Sequence, residues 1–358
     1  MNASVPEHGG NLEWAKSRFK VEKFIDFSAN INPLGCPPRV FETIKDSLDL
    51  IMHYPDPDSR KLKQKLEKYF RIEQNQIIVG NGAVELLYLI CHLLKPQKIL
   101  TLAPSFSEYV RGAETIKAQI EYYYLHSEDN FNIDLLELDK KLSGIDLFFL
   151  CNPNNPTGTI LNYKKMRQIQ SLCLKHQTFL VVDESFIDFI GDKEEYSVRH
   201  DLAQNNKLFI LHSLTKFFAL PGLRLGCGFG SPDIISKLIK LKDPWSVNAL
   251  AQTAGIAAID DSTFQAKTIE YVNTEKDFLF TRLNEIKGLK AFCPSVNFVL
   301  VQITGEITSD ELVNRMAEKG VLIRNCKTFP GLGDKYIRVA VRTREENLRL
   351  LIELNNIL

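Results

Sequence analysis

The sequence predicts an α/β protein: a large domain on a mainly parallel sheet, then a smaller α+β domain at the C-terminus. Two observations carry this expectation. Through the middle of the chain, short runs that are apolar throughout alternate with helical stretches. Such runs suit strands buried on both faces of a parallel sheet, and the helical stretches supply the crossovers. From about residue 245 the pattern changes to a long helical stretch followed by separate strands and helices.

Taken in order, "QIIVG" (76–80) reads as a short strand closed by glycine. "AVELLYLICHLL" (83–94) repeats apolar residues at three- and four-residue spacing and reads as a buried helix. "IDLFFLCNP" (145–153), "TFLVVDES" (178–185), "KLFILHSL" (207–214) and "LRLGCGFG" (223–230) read as further buried strands. The helical stretch 162–176 lies between two of them. Beyond a long helical stretch at 246–288 come the strand "FVLVQI" (298–303), a helix at 309–319, the strands "VLIRNC" (321–326) and "YIRVAVR" (336–342), and a closing helix. Thr308 and Glu311 fit a capping box, and Gly320 fits a helix stop. The first 40 residues, with Pro33, Pro37 and Pro38, read as an extended arm. The expected division is an arm over 1–40, a large domain over 41–245 and a small domain over 246–358.

Composition narrows the function. The 358 residues hold 44 Lys+Arg against 44 Asp+Glu, so no net charge favours nucleic acid or an anionic membrane as partner. Seven scattered cysteines, odd in number and without a CxxC pair, point to a reducing compartment and to no metal site. The opening "MNASVPEHGGNLEW" has no signal-peptide pattern, and no run is long enough to span a membrane. A cytoplasmic protein is expected.

Lys216 is the one formally charged residue between Leu208 and Leu223. A lysine in so apolar a run either snorkels to water or is held dry for use. Burial disfavours the ammonium and frees the lone pair for a Schiff base. Other polar groups fall where strands are expected to end, which is where open parallel sheets place their active sites. Gly80-Asn81-Gly82 precedes a helix N-terminus, a place suited to a phosphate. "CNPNNPTGT" (151–159) forms a rigid polar platform, Asp183 closes an apolar run, and Arg224 opens the next one. An amine, an acid, a donor platform and a phosphate cradle are what pyridoxal 5'-phosphate requires of a protein.

The joint pattern "NNPTG … DE.F … SLTKFFALPGLRLG" resembles the fold-type I pyridoxal-phosphate enzymes of the histidinol-phosphate aminotransferase group, over almost the whole chain. Within that group "HGGN" (8–11), "DFSANINPLG" (26–35), "YPDPDS" (54–59), "PWSVNALA" (244–251) and "RVAVR" (338–342) most resemble the L-threonine O-3-phosphate decarboxylase branch. The resemblance implies roles. Lys216 would bond the cofactor, Asp183 would pair with its ring nitrogen, and Asn155 would meet its phenolic oxygen. Phe106 would stack on the ring. Gly82, Ala83, Ser213 and Arg224 would hold its phosphate. Tyr54 would reach the partner subunit's cofactor phosphate, which implies a homodimer. Arg338 would grip the substrate carboxylate, with Asn32, Arg324 and His8 at the substrate's far end. Arg342 is left either on a substrate anion or capping the last helix. The aminotransferases of the group carry "DEAY" where this chain has "DESF", so Phe186 replaces a tyrosine that would donate to the phenolic oxygen. That replacement leans towards decarboxylation of threonine phosphate in cobalamin biosynthesis. Transamination of histidinol phosphate with 2-oxoglutarate is the alternative, and a cofactor-binding protein without turnover is a third reading.

Overall fold

A computed structural model describes residues 8–358. The chain folds around a seven-stranded sheet in the order Ile77–Gly80, Gly226–Gly230, Leu208–Ser213, Phe179–Asp183, Leu147–Cys151, Lys98–Ala103, Gln119–Tyr124. The last five are joined by parallel pairings. Gly226–Gly230 runs antiparallel to both of its neighbours. The expectation of a parallel strand at 223–230 is therefore corrected in direction and start. The chain returns from the Leu208–Ser213 strand through one short helix and a 3-10 turn, too little for the crossover that a parallel neighbour needs. Glycine suits this reversed strand because its neighbours press close. A Cβ on Gly228 would lie 2.4 Å from Phe209, and one on Gly226 2.4 Å from the Ala83 nitrogen.

The expected buried helix is Ala83–Leu94, and the crossover helix is Tyr163–Lys175 with Asn162 as its cap. The stretch 246–288 is two helices, Ala249–Ile259 and Ser262–Asn284, with Asp261 capping the second. The first of these packs on the large sheet's side of the molecule: a Cβ on Gly255 would meet Leu225 at 2.5 Å and Leu62 at 3.2 Å.

A second, antiparallel sheet has the order Arg324–Asn325, Tyr336–Ala340, Phe298–Ile303, Leu289–Ala291. The run 321–326, expected as one strand, is split. Val321–Leu322 pairs instead with Ile25–Asp26, in parallel. The N-terminal arm is thus not simply extended: it carries the helix Leu12–Arg18 and a strand seated beside the small sheet. Thr308 caps the helix Ser309–Glu318, but Glu311 does not return the bond and pairs with Arg315 instead. The full capping box belongs to Thr343 and Glu346, at the start of the last helix.

Directly behind Asp183, Glu184 is fully buried and pairs with the equally buried Arg199 at 3.1 Å. The Ser197 hydroxyl and the Val198 N–H complete its shell. Removing one partner of a buried pair strands the other charge. Arg199→Ala should therefore cost about 3–5 kcal/mol of stability, read as a lower urea midpoint. A midpoint equal to that of the parent protein would show that the pair is dispensable.

Candidate active site

Beyond the carboxyl ends of the parallel strands lies a cavity of about 450 Å³. His8, Ala83, Phe106, Asn155, Asp183, Ser213, Lys216, Arg224, Arg324 and Arg338 all line it. Residues separated by up to 330 positions thus share one crevice, because successive strands end on the same edge of the sheet.

Lys216 stands one step past the strand Leu208–Ser213, in the four-residue helix Leu214–Phe217. The Ser213 hydroxyl caps that turn by accepting from the Thr215 N–H. Burial, with Arg338 and Arg224 nearby, lowers the Lys216 pKa to about 8, against the opposing pull of Asp183. The amine is therefore neutral far more often near physiological pH than an ordinary lysine, as a nucleophile must be.

Asp183 is the last residue of its strand. Tyr109 donates its hydroxyl to Oδ2 at 2.7 Å, and the Ser185 N–H donates to Oδ1 at 2.9 Å. Asn155 is buried, and its Oδ1 accepts from Arg338 Nη1. Arg338 also donates to the Ser28 carbonyl at 2.8 Å. Burial, with Arg324 close by, lowers the Arg338 pKa to about 10. Arg324 and Arg338 are direct partners across adjacent strands. Arg324 donates to Thr328 and lies over the Phe329 ring.

At the far side of the crevice Gly82, at φ +77°, opens the helix Ala83–Leu94. A Cβ there would fall 2.5 Å from Arg224 Nη2. Arg224 does not open the following strand; it closes a 3-10 turn in the left-handed region, at φ +58°. That turn aims its guanidinium back across Gly82. The Ser213 and Thr215 hydroxyls, 2.7 Å apart, border the same crevice.

Two assigned residues lie elsewhere. Asn32 does not line the cavity; its amide donates to the Phe217 carbonyl and to Thr268, and its Oδ1 accepts from the Leu34 N–H. It braces the lysine turn from behind. Asn30 takes its place on the cavity wall, 4% exposed, with an Oδ1 that has no partner among the described residues. Spacing does not separate the two asparagines of "ANIN"; the turn at Ile31 does. Tyr54 is 81% exposed and meets the Trp245 ring at a tilt, centroids 4.8 Å apart, and does not line the cavity. Arg342 pairs with Glu346 in the last helix and does not line the cavity. His8 reaches the cavity mouth, where its Nε2 meets Glu108 at 2.8 Å, and Phe106 lines the wall beside it. Phe186 lines the cavity and packs edge-on against Phe298.

The donor set fits pyridoxal 5'-phosphate. A dry amine, a doubly held carboxylate and a glycine hollow under an arginine match its aldehyde, ring nitrogen and phosphate. Asn30 Oδ1 and Arg338 Nε, both buried without partners among the described residues, leave polar capacity for a substrate.

Two outcomes follow from this geometry. Capture of pyridoxal phosphate by the cofactor-free protein should accelerate with pH and level off near the Lys216 value of about 8. An ordinary lysine would keep the rate climbing towards about 10.4. Gly82→Ala should displace Arg224 and weaken cofactor binding by about 10- to 100-fold in equilibrium dialysis, the loss of one charge-assisted hydrogen bond. Unchanged affinity would remove Gly82 from the cradle.

Comparison with known proteins places the chain in a family. The chain is 35% identical to the threonine-phosphate decarboxylase of Salmonella typhimurium, over 98% of this chain and 96% of that one. Its fold matches the crystal structure of the histidinol-phosphate aminotransferase from Clostridium acetobutylicum with a TM-score of 0.86 at 30% identity, covering 92% of this chain and 98% of that one. It also matches the L-threonine-O-3-phosphate decarboxylase from Porphyromonas gingivalis with a TM-score of 0.82 at 27% identity, over 92% and 98% of the two chains. The family description Aminotransferase class I and II matches residues 22–354, and the chain belongs to that family.

Proposed function

We propose that this chain is a pyridoxal-phosphate-dependent decarboxylase that converts L-threonine O-3-phosphate to aminopropanol phosphate and CO₂, a step of cobalamin biosynthesis. The observation that carries the reading is the arginine pair. Arg324 and Arg338 stand opposite one another on neighbouring strands of the same cavity wall. A substrate with both a carboxylate and a phosphate matches two guanidiniums so placed. The 35% identity to the Salmonella typhimurium decarboxylase supports the choice of substrate.

When bound, pyridoxal phosphate supplies an electron sink for the pair left at the substrate's Cα. The chain supplies the rest. Lys216 would hold the cofactor and would have its Nζ placed to offer a proton. Asp183 keeps the ring nitrogen protonated. Arg338 holds the substrate carboxylate, and Arg324, Asn30 and His8 take its phosphate. By fixing where the substrate carboxylate lies, Arg338 would select which Cα bond breaks. The Cα–carboxylate bond breaks, CO₂ departs, and Cα takes one proton. Phe186 places a ring without a hydroxyl on the cavity wall, which keeps a donor and its water away from the cofactor oxygen.

A second reading is amino transfer from histidinol phosphate to 2-oxoglutarate, favoured by the likeness to the Clostridium acetobutylicum structure. One incubation separates the two. Threonine phosphate should release CO₂ without consuming 2-oxoglutarate. Glutamate formed from histidinol phosphate, with no CO₂ from threonine phosphate, would establish the transaminase instead. Arg324→Ala should raise KM for the phosphorylated substrate by about 10- to 100-fold, the value of a charge-assisted bond, and leave cofactor retention unchanged.

The working unit is a homodimer in the cytoplasm. Tyr54 lies against Trp245, and Phe41, Ile51 and Met52, on elements that both pack against Ala249–Ile259, are likewise exposed large apolar side chains of a kind that marks an interface. Seven free cysteines suit a reducing compartment. Sedimentation at micromolar concentration should give a dimer, and a fully active monomer would refute a site completed by the partner subunit's Tyr54.

A further inference from the structure

Tyr109 is fully buried, outside the cavity lining, and its phenol nevertheless reaches the carboxylate at the heart of the site. Its ring lies flat on Phe149, centroids 5.0 Å apart and planes within 7°. Phe106 meets it edge-on at 5.6 Å. Phe106 and Tyr109 are three residues apart at the start of the helix Glu108–Thr115. One turn of chain therefore delivers both a wall of the cavity and a brace for Asp183.

A carboxylate turns easily about its last torsion, so its plane is set by what its oxygens touch. Among the described residues each oxygen has a donor: Tyr109 on Oδ2 and the Ser185 N–H on Oδ1. Burial, then the Asp183 charge, push the Tyr109 hydroxyl far above its ordinary pKa, so it stays a neutral donor at every working pH. The phenol is held by stacking and cannot follow the carboxylate if Asp183 rotates.

We infer that Tyr109 is a positioning residue that fixes the plane of the Asp183 carboxylate and thereby sets how strongly that carboxylate holds the cofactor's ring nitrogen. The inference rests on the cofactor reading above and is independent of which phosphorylated substrate is used. A tyrosine acting only as core would contribute its ring; a positioning tyrosine contributes its oxygen.

The test removes that oxygen. Cofactor-loaded Tyr109→Phe keeps the ring and the stacking. Two quantities are read without substrate: the dissociation constant for pyridoxal phosphate and the pH midpoint of the bound cofactor's visible band. The groups facing Asp183 that could move the midpoint are Tyr109, Cys151 and Lys216. The dissociation constant should rise about tenfold, as for a lost hydrogen bond to a charged group, and the midpoint should shift. In an Asp183→Asn background the same change should add nothing, since the carboxylate it acts on is gone. Phe149→Leu, which loosens the ring but keeps the hydroxyl, should shift the midpoint the same way by less. An unmoved midpoint and dissociation constant, even with a lowered melting temperature, would overturn the inference. So would an equal loss in the Asp183→Asn background. Because no readout involves CO₂ or keto acid, failure here is distinct from failure of the proposed reaction.

Discussion

Taking the ammonium of Lys216 out of water is the constraint around which the site is arranged. The lysine is buried on a short turn among apolar side chains, with two guanidiniums near enough to disfavour its charge. Lowering its pKa to about 8 by desolvation costs stability whenever the group is protonated. Asp183 partly offsets that cost. The turn is held from three sides: Ser213 caps it, Asn32 donates into its last carbonyls, and Phe217 and Phe218 anchor it in the core. A loose turn would let the amine swing to solvent and regain its proton.

The sheet supplies the convergence that the lysine needs. Parallel strands end on one edge, so Cys151, Asp183 and Ser213 arrive together without any one loop having to be long. The reversed glycine strand next to them lets the Ala83–Leu94 helix approach closely, which brings its N-terminus to the same crevice. Beneath the site a second layer of buried charge pins the segment after Asp183. Glu184 is held by Arg199, and Asp188 by His212 at 2.8 Å and Lys193 at 2.7 Å. Burial raises the Asp188 carboxyl's pKa, but Lys193 and His212 beside it outweigh that and hold it well below the usual carboxylate range. Buried pairs of this kind contribute little net stability; they fix geometry.

The four-stranded sheet carries a cost at the cavity wall. Arg324 and Arg338 are like charges on adjacent strands, and Arg338 is buried with part of its guanidinium unsatisfied. An anionic substrate would relieve both defects on binding. The free energy stored in that repulsion becomes available for holding a substrate in one orientation, which is where it can influence the bond that breaks.

The sequence by itself determined which residues to look for in the crevice, and the fold brings them there. Lys216 stood out because a lone cation in an apolar run is costly, and Asp183, Asn155 and Arg224 because motif and expected strand ends coincide. Those signals are local, and each survives without knowledge of neighbours. Tertiary structure alone decided the rest. Strand direction at Gly226–Gly230 depends on the length of the preceding connection and on which neighbour is free, not on composition. The run 321–326 is one apolar stretch in sequence, yet two partners divide it. Asn30 and Asn32 are the same residue type two positions apart; only the turn between them sends one to the cavity and the other behind the lysine. Tyr109 carries no mark in the sequence at all, because its role is a single hydrogen bond to a residue 74 positions away. Which polar atom meets which is settled by packing, and packing is a property of the folded chain.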